Sequence, residues 1–355
     1  MQLALELLRL VGGDSATEQS ARVITQVSEV SDREFKWAVD GGLGPLLYLA
    51  TRSDIARLPR SRRDTLVSAD LTAQVLHAAI LDSAVDVVDA CAAVRVRATL
   101  LKGISVSSQY YPAGHLRPMS DIDVLVPADA YESVESELML RGFARGSANK
   151  GSFSHHGIPL VHRQRRAWVE LHTALYPMDS GLAGGGIFGL SNVVANSIPS
   201  TYFGRLVYRL TDELQLAYIA SSWIRDLTLR KFHPSFLAPL FDLVYLLKAA
   251  GRTIDWDGLL EGLDNQLAAA SVLVALSWLA RHGLYSPPIL RSLADRQELV
   301  GSLELGLTHA AIDRHLMGAR RWRLPLPPPV PGRYNFRNQL NKRMRLKGTG
   351  WRPIM

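Results

Sequence analysis

The stretch Arg117-Pro118-Met119-Ser120-Asp121-Ile122-Asp123-Val124-Leu125-Val126-Pro127 decides the fold class of this chain. From Asp121 onward it reads as a β-strand ended by Pro127. Strand alternation sets Asp121 and Asp123 on one face and Ile122 on the other. Two carboxylates side by side are costly unless a cation sits between them, and hard oxygen donors of this kind suit Mg²⁺ or Mn²⁺. The Asp-x-Asp spacing also occurs at strand ends, in turns and in metal-using glycosyltransferases, so its neighbours carry the argument.

Upstream, residues 94–100 alternate apolar and polar as a half-buried strand does, and residues 104–111 suit a short helix. Between them Lys102-Gly103 reads as a strand-to-helix turn. There glycine lets backbone approach a ligand, the helix N-terminus offers free N–H groups to phosphate, and Lys102 adds positive charge. The plain alternative is a β-to-α turn that needs glycine. Arg117 stands four residues before the first carboxylate, suited to a triphosphate oxygen or to pairing Asp121, with no helical stripe to support; Ser120 suits a turn cap. Downstream, residues 128–141 read as a helix, and residues 152–160 and 167–175 as two more strands. In Trp168-Val169-Glu170-Leu171-His172, Glu170 shares a face with Trp168 and His172. If that strand runs beside the Asp121 strand, Glu170 becomes a third carboxylate, the set used in two-metal phosphoryl transfer, and doubles as base. A solvent-facing Glu on an edge strand is the alternative. His155, His156, His162 and His172 invite a zinc reading, but Pro159 interrupts the segment and no paired cysteines accompany it. Arg163, Arg165 and Arg166 read as a solvated hairpin turn.

Lys-Gly, then Arg-x-x-Ser-Asp-Ile-Asp before an apolar strand, and later Val-Glu-Leu-His, together resemble the DNA polymerase β-like nucleotidyltransferase superfamily. Within it they look most like its uncharacterised bacterial nucleotidyltransferase family, and the Arg-x-x-x-Asp-x-Asp spacing is similar to that of antibiotic and toxin nucleotidyltransferases. The likeness covers residues 100–175, and Phe241-Asp242-Leu243 with Asp255-Trp256 adds to it in the C-terminal region. It implies an enzyme that moves a nucleoside monophosphate from an NTP to a hydroxyl of a small molecule, a peptide or protein, or RNA, releasing pyrophosphate. It also implies metal ligation and catalysis by Asp121, Asp123 and Glu170, with nucleotide contact at Lys102, Gly103 and Arg117. The superfamily commonly follows this glycine with Ser or Gly; here Ile104 follows, and Ser105 with Ser120 completes the candidate nucleotide contacts. A glycosyltransferase holding a nucleotide-sugar on Asp121 and Asp123, or a non-catalytic nucleotide-fold binding module, stands as the alternative.

The expected fold class is α+β: a small mixed nucleotidyltransferase sheet flanked by helices. A helical N-terminal subdomain (1–93) precedes the catalytic core (94–177), a Gly-rich linker (178–210), a helical domain (211–315) and a basic Pro-rich tail (316–355). Ser31 to Glu34 matches a capping box, Asp255 an N-cap, and Pro234 and Pro239 bracket helix starts. The chain has 355 residues, 47% of them hydrophobic, enough for a sizeable core. Cys91 is the one cysteine, which excludes an intrachain disulfide and a cysteine zinc site and fits a reducing cytoplasm. The N-terminus lacks the features of a signal peptide. The apolar segment 267–280 is shorter than the roughly 20 residues a bilayer needs. Of the net charge of +7, ten cations without an acid lie between Arg320 and Met355, leaving the rest at about −3. Interleaved with Trp322, Tyr334, Phe336 and Trp351, they suit an anionic partner such as RNA, against a plain solvated terminus.

Overall fold

The computed structural model describes residues 2–13, 16–146, 155–178, 180–183, 186–230 and 237–316. The helices are α1 (Gln2–Gly12), α2 (Ala16–Glu29), α3 (Asp32–Ala38), α4 (Gly44–Thr51) and α5 (Arg60–Ala93), followed by α6 (Lys102–Tyr110), α7 (Tyr131–Leu140), α8 (Leu190–Ala195) and α9 (Asp212–Arg230). They continue with α10 (Ala238–Ala250), α11 (Trp256–Gly262), α12 (Gln266–Arg281), α13 (Leu290–Arg296) and α14 (Ser302–Leu316). The strands are β1 (Thr99–Leu100), β2 (Asp121–Leu125), β3 (Phe143–Arg145), β4 (Leu160–His162), β5 (Trp168–His172), β6 (Ser197–Tyr202) and β7 (Arg205–Leu210). They form one sheet in the order β3-β4-β5-β2-β1-β7-β6. β2 runs parallel to β5 and β1 parallel to β7, while the other pairs are antiparallel, so the sheet is mixed and the fold is α+β, as expected.

The two faces of the central strands follow from their alternation. Ile122, Val124, Val169 and Leu171 turn to one side, where they share an apolar cluster with Ile80, Ala84, Val87 and Cys91 of α5 and with Val134 and Leu138 of α7. The opposite face carries Asp121, Asp123, Glu170 and His172. Leu125 on that face joins a second, larger cluster in which Leu3, Leu7 and Leu8 of α1 meet Leu240, Phe241 and Leu243 of α10 and Val272 to Leu276 of α12. N-terminal and C-terminal helices thus bury their stripes in one common core, over the same face as the carboxylates.

Several local expectations change. The strand expected over 94–100 shrinks to Thr99–Leu100, because α5 runs on to Ala93. The helix then closes through Val96 N–H donating to the Cys91 carbonyl at 2.8 Å, with Arg95 in the left-handed region at φ 58°. Residues 197–210, expected as part of a linker, are instead the hairpin β6–β7. Its two-residue turn has Phe203 at φ 47° and Gly204 at φ 74°, the paired positive values that suit strand twist. Pro199 is tolerated because β6 is at the sheet edge. In the segment 152–160, residues 152–154 lie outside the described residues, His156 forms an isolated bridge to His172, and regular pairing begins at Leu160. Ser31 caps α3 by accepting the Glu34 N–H at 3.2 Å. The Glu34 carboxylate also accepts from the Leu3 N–H, clasping α1. Asp255 caps α11 and Pro239 opens α10, as expected; Pro234 lies outside the described residues, as does the basic tail. Among the described residues no helix is long and apolar enough to cross a membrane.

Candidate active site

β2 and β5 pair in register, Asp121 with Trp168 and Asp123 with Glu170. Directly opposed residues of parallel strands project to the same side, so Asp121, Asp123 and Glu170 converge on one face. Oxygen atoms of Asp123 and Glu170 and a nitrogen of His172 lie within 4.8 Å of one another.

Asp123 is 3% exposed and takes two cationic partners on Oδ1: Lys102 Nζ at 2.9 Å and His172 Nε2 at 2.6 Å. Burial works to raise its pKa, yet Lys102 and His172 outweigh burial and hold the carboxyl well below the usual range. His172, wholly buried, also lies 3.6 Å from Glu170 Oε2. Burial works to lower the His172 pKa, but bonds to both carboxylates overcome it and raise the group. The same bond lowers Glu170 against that residue's own burial. Among the described residues Asp121 has no such partner. Burial, then the neighbouring charge of Asp123, pushes it up to about 6, with Glu170 adding and Lys102 opposing. The face therefore holds more negative charge than its own cations neutralise, and its open donors are hard oxygens. Among the described residues the donors close enough together to share a metal ion are those of Asp123, Glu170 and His172, with Asp121 on the same strand face. His155 stacks edge-on with His156 nearby, and burial with His172 and His156 pushes it down to about 2, so it is neutral.

The expected nucleotide residues fall in different places. Lys102, not Gly103, takes the left-handed backbone, at φ 43°, a strained conformation for a residue with a Cβ, and its ammonium reaches Asp123. Gly103 is required for space instead, since a Cβ there would meet Arg117 Nη1 at 2.5 Å. Ser105 is buried in α6 with its hydroxyl accepting from Gln109 Nε2 at 2.6 Å, and the exposed Ser120 donates weakly to Asp121 at 3.4 Å. Arg117, expected to have no role in the fold, has one. Its Nε and Nη2 fork onto Asp242 of α10 at 3.2 and 2.9 Å, Nη1 donates to the Pro118 carbonyl, and Tyr111 donates to the same Asp242 at 2.8 Å. The guanidinium remains close enough to Asp121 to lower its pKa slightly. The Arg163–Arg166 turn is anchored as well, with Arg165 paired to Asp86 of α5.

Sequence reasoning passed over Asp242 as a partner of Arg117, because 125 residues separate them. It also left His172 open; the alternation that put it on the Glu170 face was the available signal.

A mixed α+β sheet with a carboxylate cluster on one face is consistent with a nucleotidyltransferase-like fold. The chain belongs to the uncharacterised nucleotidyltransferase family, whose model matches residues 30–303, about three quarters of its length. A solved structure similar to this chain is the solution structure of the antibiotic-resistance factor ANT(2'')-Ia, at 12% identity and a TM-score of 0.33, covering 49% of this chain and 91% of that one. No curated protein matches the chain.

Proposed function

We propose that the protein is a metal-dependent nucleotidyltransferase that moves a nucleoside monophosphate from an NTP to the hydroxyl of a small molecule, a peptide or protein, or RNA. The observation that carries this reading is the in-register pairing of Asp123 with Glu170, with Asp121 on the same face. A bound divalent cation would neutralise developing charge on the phosphates and acidify the attacking hydroxyl. The residues supply the rest. Asp121, Asp123 and Glu170 would hold the ion, His172 orients the Asp123 and Glu170 carboxylates, and Lys102 adds positive charge beside Asp123. The acceptor oxygen forms a bond to the α-phosphorus, the bond from that phosphorus to the bridging oxygen breaks, and pyrophosphate leaves with its electrons. Glu170, the partly exposed carboxylate beside the buried Asp123, receives the hydroxyl proton.

Incubation of the purified protein with each labelled NTP, Mg²⁺ or Mn²⁺, and cell extract should place label in one class of acceptor. The Asp123→Asn variant should transfer several orders of magnitude more slowly, since the charge stabilisation depends on this group. Wild-type transfer rates in that variant would defeat the reading.

A further inference from the structure

Helix α9 carries an unusual stripe. Gln215, Tyr218 and Ser221 are 0–1% exposed, and among the described residues both side-chain polar atoms of Gln215, the Tyr218 hydroxyl and the Ser221 hydroxyl have no hydrogen-bond partner. Buried polar groups are nearly always paired, and each orphan costs stability, so a row of them on one helix calls for a partner that binds there.

Helix α9 is tied both to α6, which carries Lys102, and to the segment that follows β5. Tyr110, at the end of α6, donates to Asp212, at the start of α9, at 2.5 Å. From that tie Lys102 lies eight residues back along α6 and Tyr218 six residues forward along α9, roughly 12 and 9 Å. Tyr218 is also reached from β5, since Tyr176 follows His172 by four residues and packs on the Tyr218 ring, and the charges of Lys102 and Asp123 act on its phenol. The ring of Tyr218 is held from behind by Tyr176, at 5.5 Å between centroids, and Tyr176 spends its own hydroxyl on Ser222. Among the described residues Gln109 Oε1 on α6 and Nδ1 of His155 and His172 lack a partner as well.

We infer that the Tyr218 hydroxyl, with Gln215 beside it, is a positioning contact for the triphosphate of the bound nucleotide. The inference rests on the nucleotidyltransferase reading and deepens it. Lys102 and a cation on Asp123 would bring the phosphates to this wall, and Tyr218 and the Gln215 amide are donors that meet them. The phenol stays a donor because burial pushes it up to about 12.

The test measures binding of each NTP and of inorganic tripolyphosphate, with Mg²⁺, to the full chain and to Tyr218→Phe and Gln215→Met. Tyr218→Phe should weaken NTP and tripolyphosphate alike by about tenfold or more, as loss of a hydrogen bond to a charged group does. The unliganded variant should melt at the same temperature or higher, because an orphaned hydroxyl has been removed from the interior. In turnover the loss should appear mainly in KM for the NTP. Equal affinities in wild type and both variants would overturn the inference while leaving the nucleotidyltransferase reading standing. A loss seen with NTP but not with tripolyphosphate would overturn it too, by assigning Tyr218 to the nucleoside. Absence of any NTP binding by the wild type would instead defeat the function reading, and this inference with it.

Discussion

Asp121 and Asp123 share a strand face two residues apart, yet their surroundings drive their acidities in opposite directions. Asp123 is held ionised by Lys102 and His172, while Asp121 is pushed by burial and by Asp123 from its ordinary 3.8 to about 6. The folded chain therefore holds the Asp121 proton more tightly than the unfolded chain. The stability this provides is complete below about 3.8 and lost as pH rises through about 6. Ionising Asp121 without a cation thus costs the fold up to roughly 3 kcal/mol at neutral pH. With a chelator at pH 7.5, Asp121→Asn should melt above the wild type, and the difference should close near pH 4.5. Divalent metal should raise the wild-type melting temperature more at pH 7 than at pH 5. A metal-free variant no more stable than wild type at pH 7.5 would contradict the charge imbalance.

At the level of elements, the fork from Arg117 to Asp242 fastens the turn before β2 to α10, and Asp242 is only 2% exposed. Arg117→Ala leaves that carboxylate with Tyr111 alone, a stranded charge of the kind that costs about 3–5 kcal/mol. Calorimetry should show a large drop in melting temperature for the single variant, with part of it restored in Arg117→Ala/Asp242→Asn, which removes the stranded charge. If Arg117→Ala weakened NTP affinity without changing melting, Arg117 would be a phosphate ligand after all. The adjoining turn is equally constrained. Gly42 has φ 83°, and a Cβ there would run into the Pro118 ring. Gly42→Ala should therefore destabilise by more than about 1 kcal/mol, through strain and contact together. A melting temperature unchanged by that substitution would show the turn to be pliable.

Across the whole molecule, α1 and α10 share one core, and Lys248 of α10 donates to the Val11 carbonyl at the end of α1 at 2.8 Å. Leu8 is wholly buried there. Leu8→Ala should cost about 2–5 kcal/mol and shift a single transition seen alike by helix content and by tryptophan fluorescence. Two separate transitions would mean that residues 1–93 fold on their own. The ten cations between Arg320 and Met355 lie outside the described residues, but their charge alone supports an expectation. A chain ending at residue 319 should lose most salt-dependent affinity for RNA while binding NTP as before; equal, salt-insensitive RNA binding by both forms would remove the nucleic-acid role of the tail.

The sequence by itself determined what local periodicity can encode. Alternation in residues 121–126 and 168–172 announced two half-polar strands, and the spacing Asp-x-Asp with Val-Glu-Leu-His announced the carboxylates and the family. Asp255 announced a helix start. Only the tertiary structure decided which partners those residues meet, because the pairings span long stretches of chain that no local pattern records. Asp242 claims Arg117, Lys102 and His172 both settle on Asp123, and Tyr218 of α9 packs on Tyr176 beyond the end of β5. The β6–β7 hairpin was equally hidden, since a short edge strand containing proline becomes a strand only where β1 offers it a sheet to join through β7.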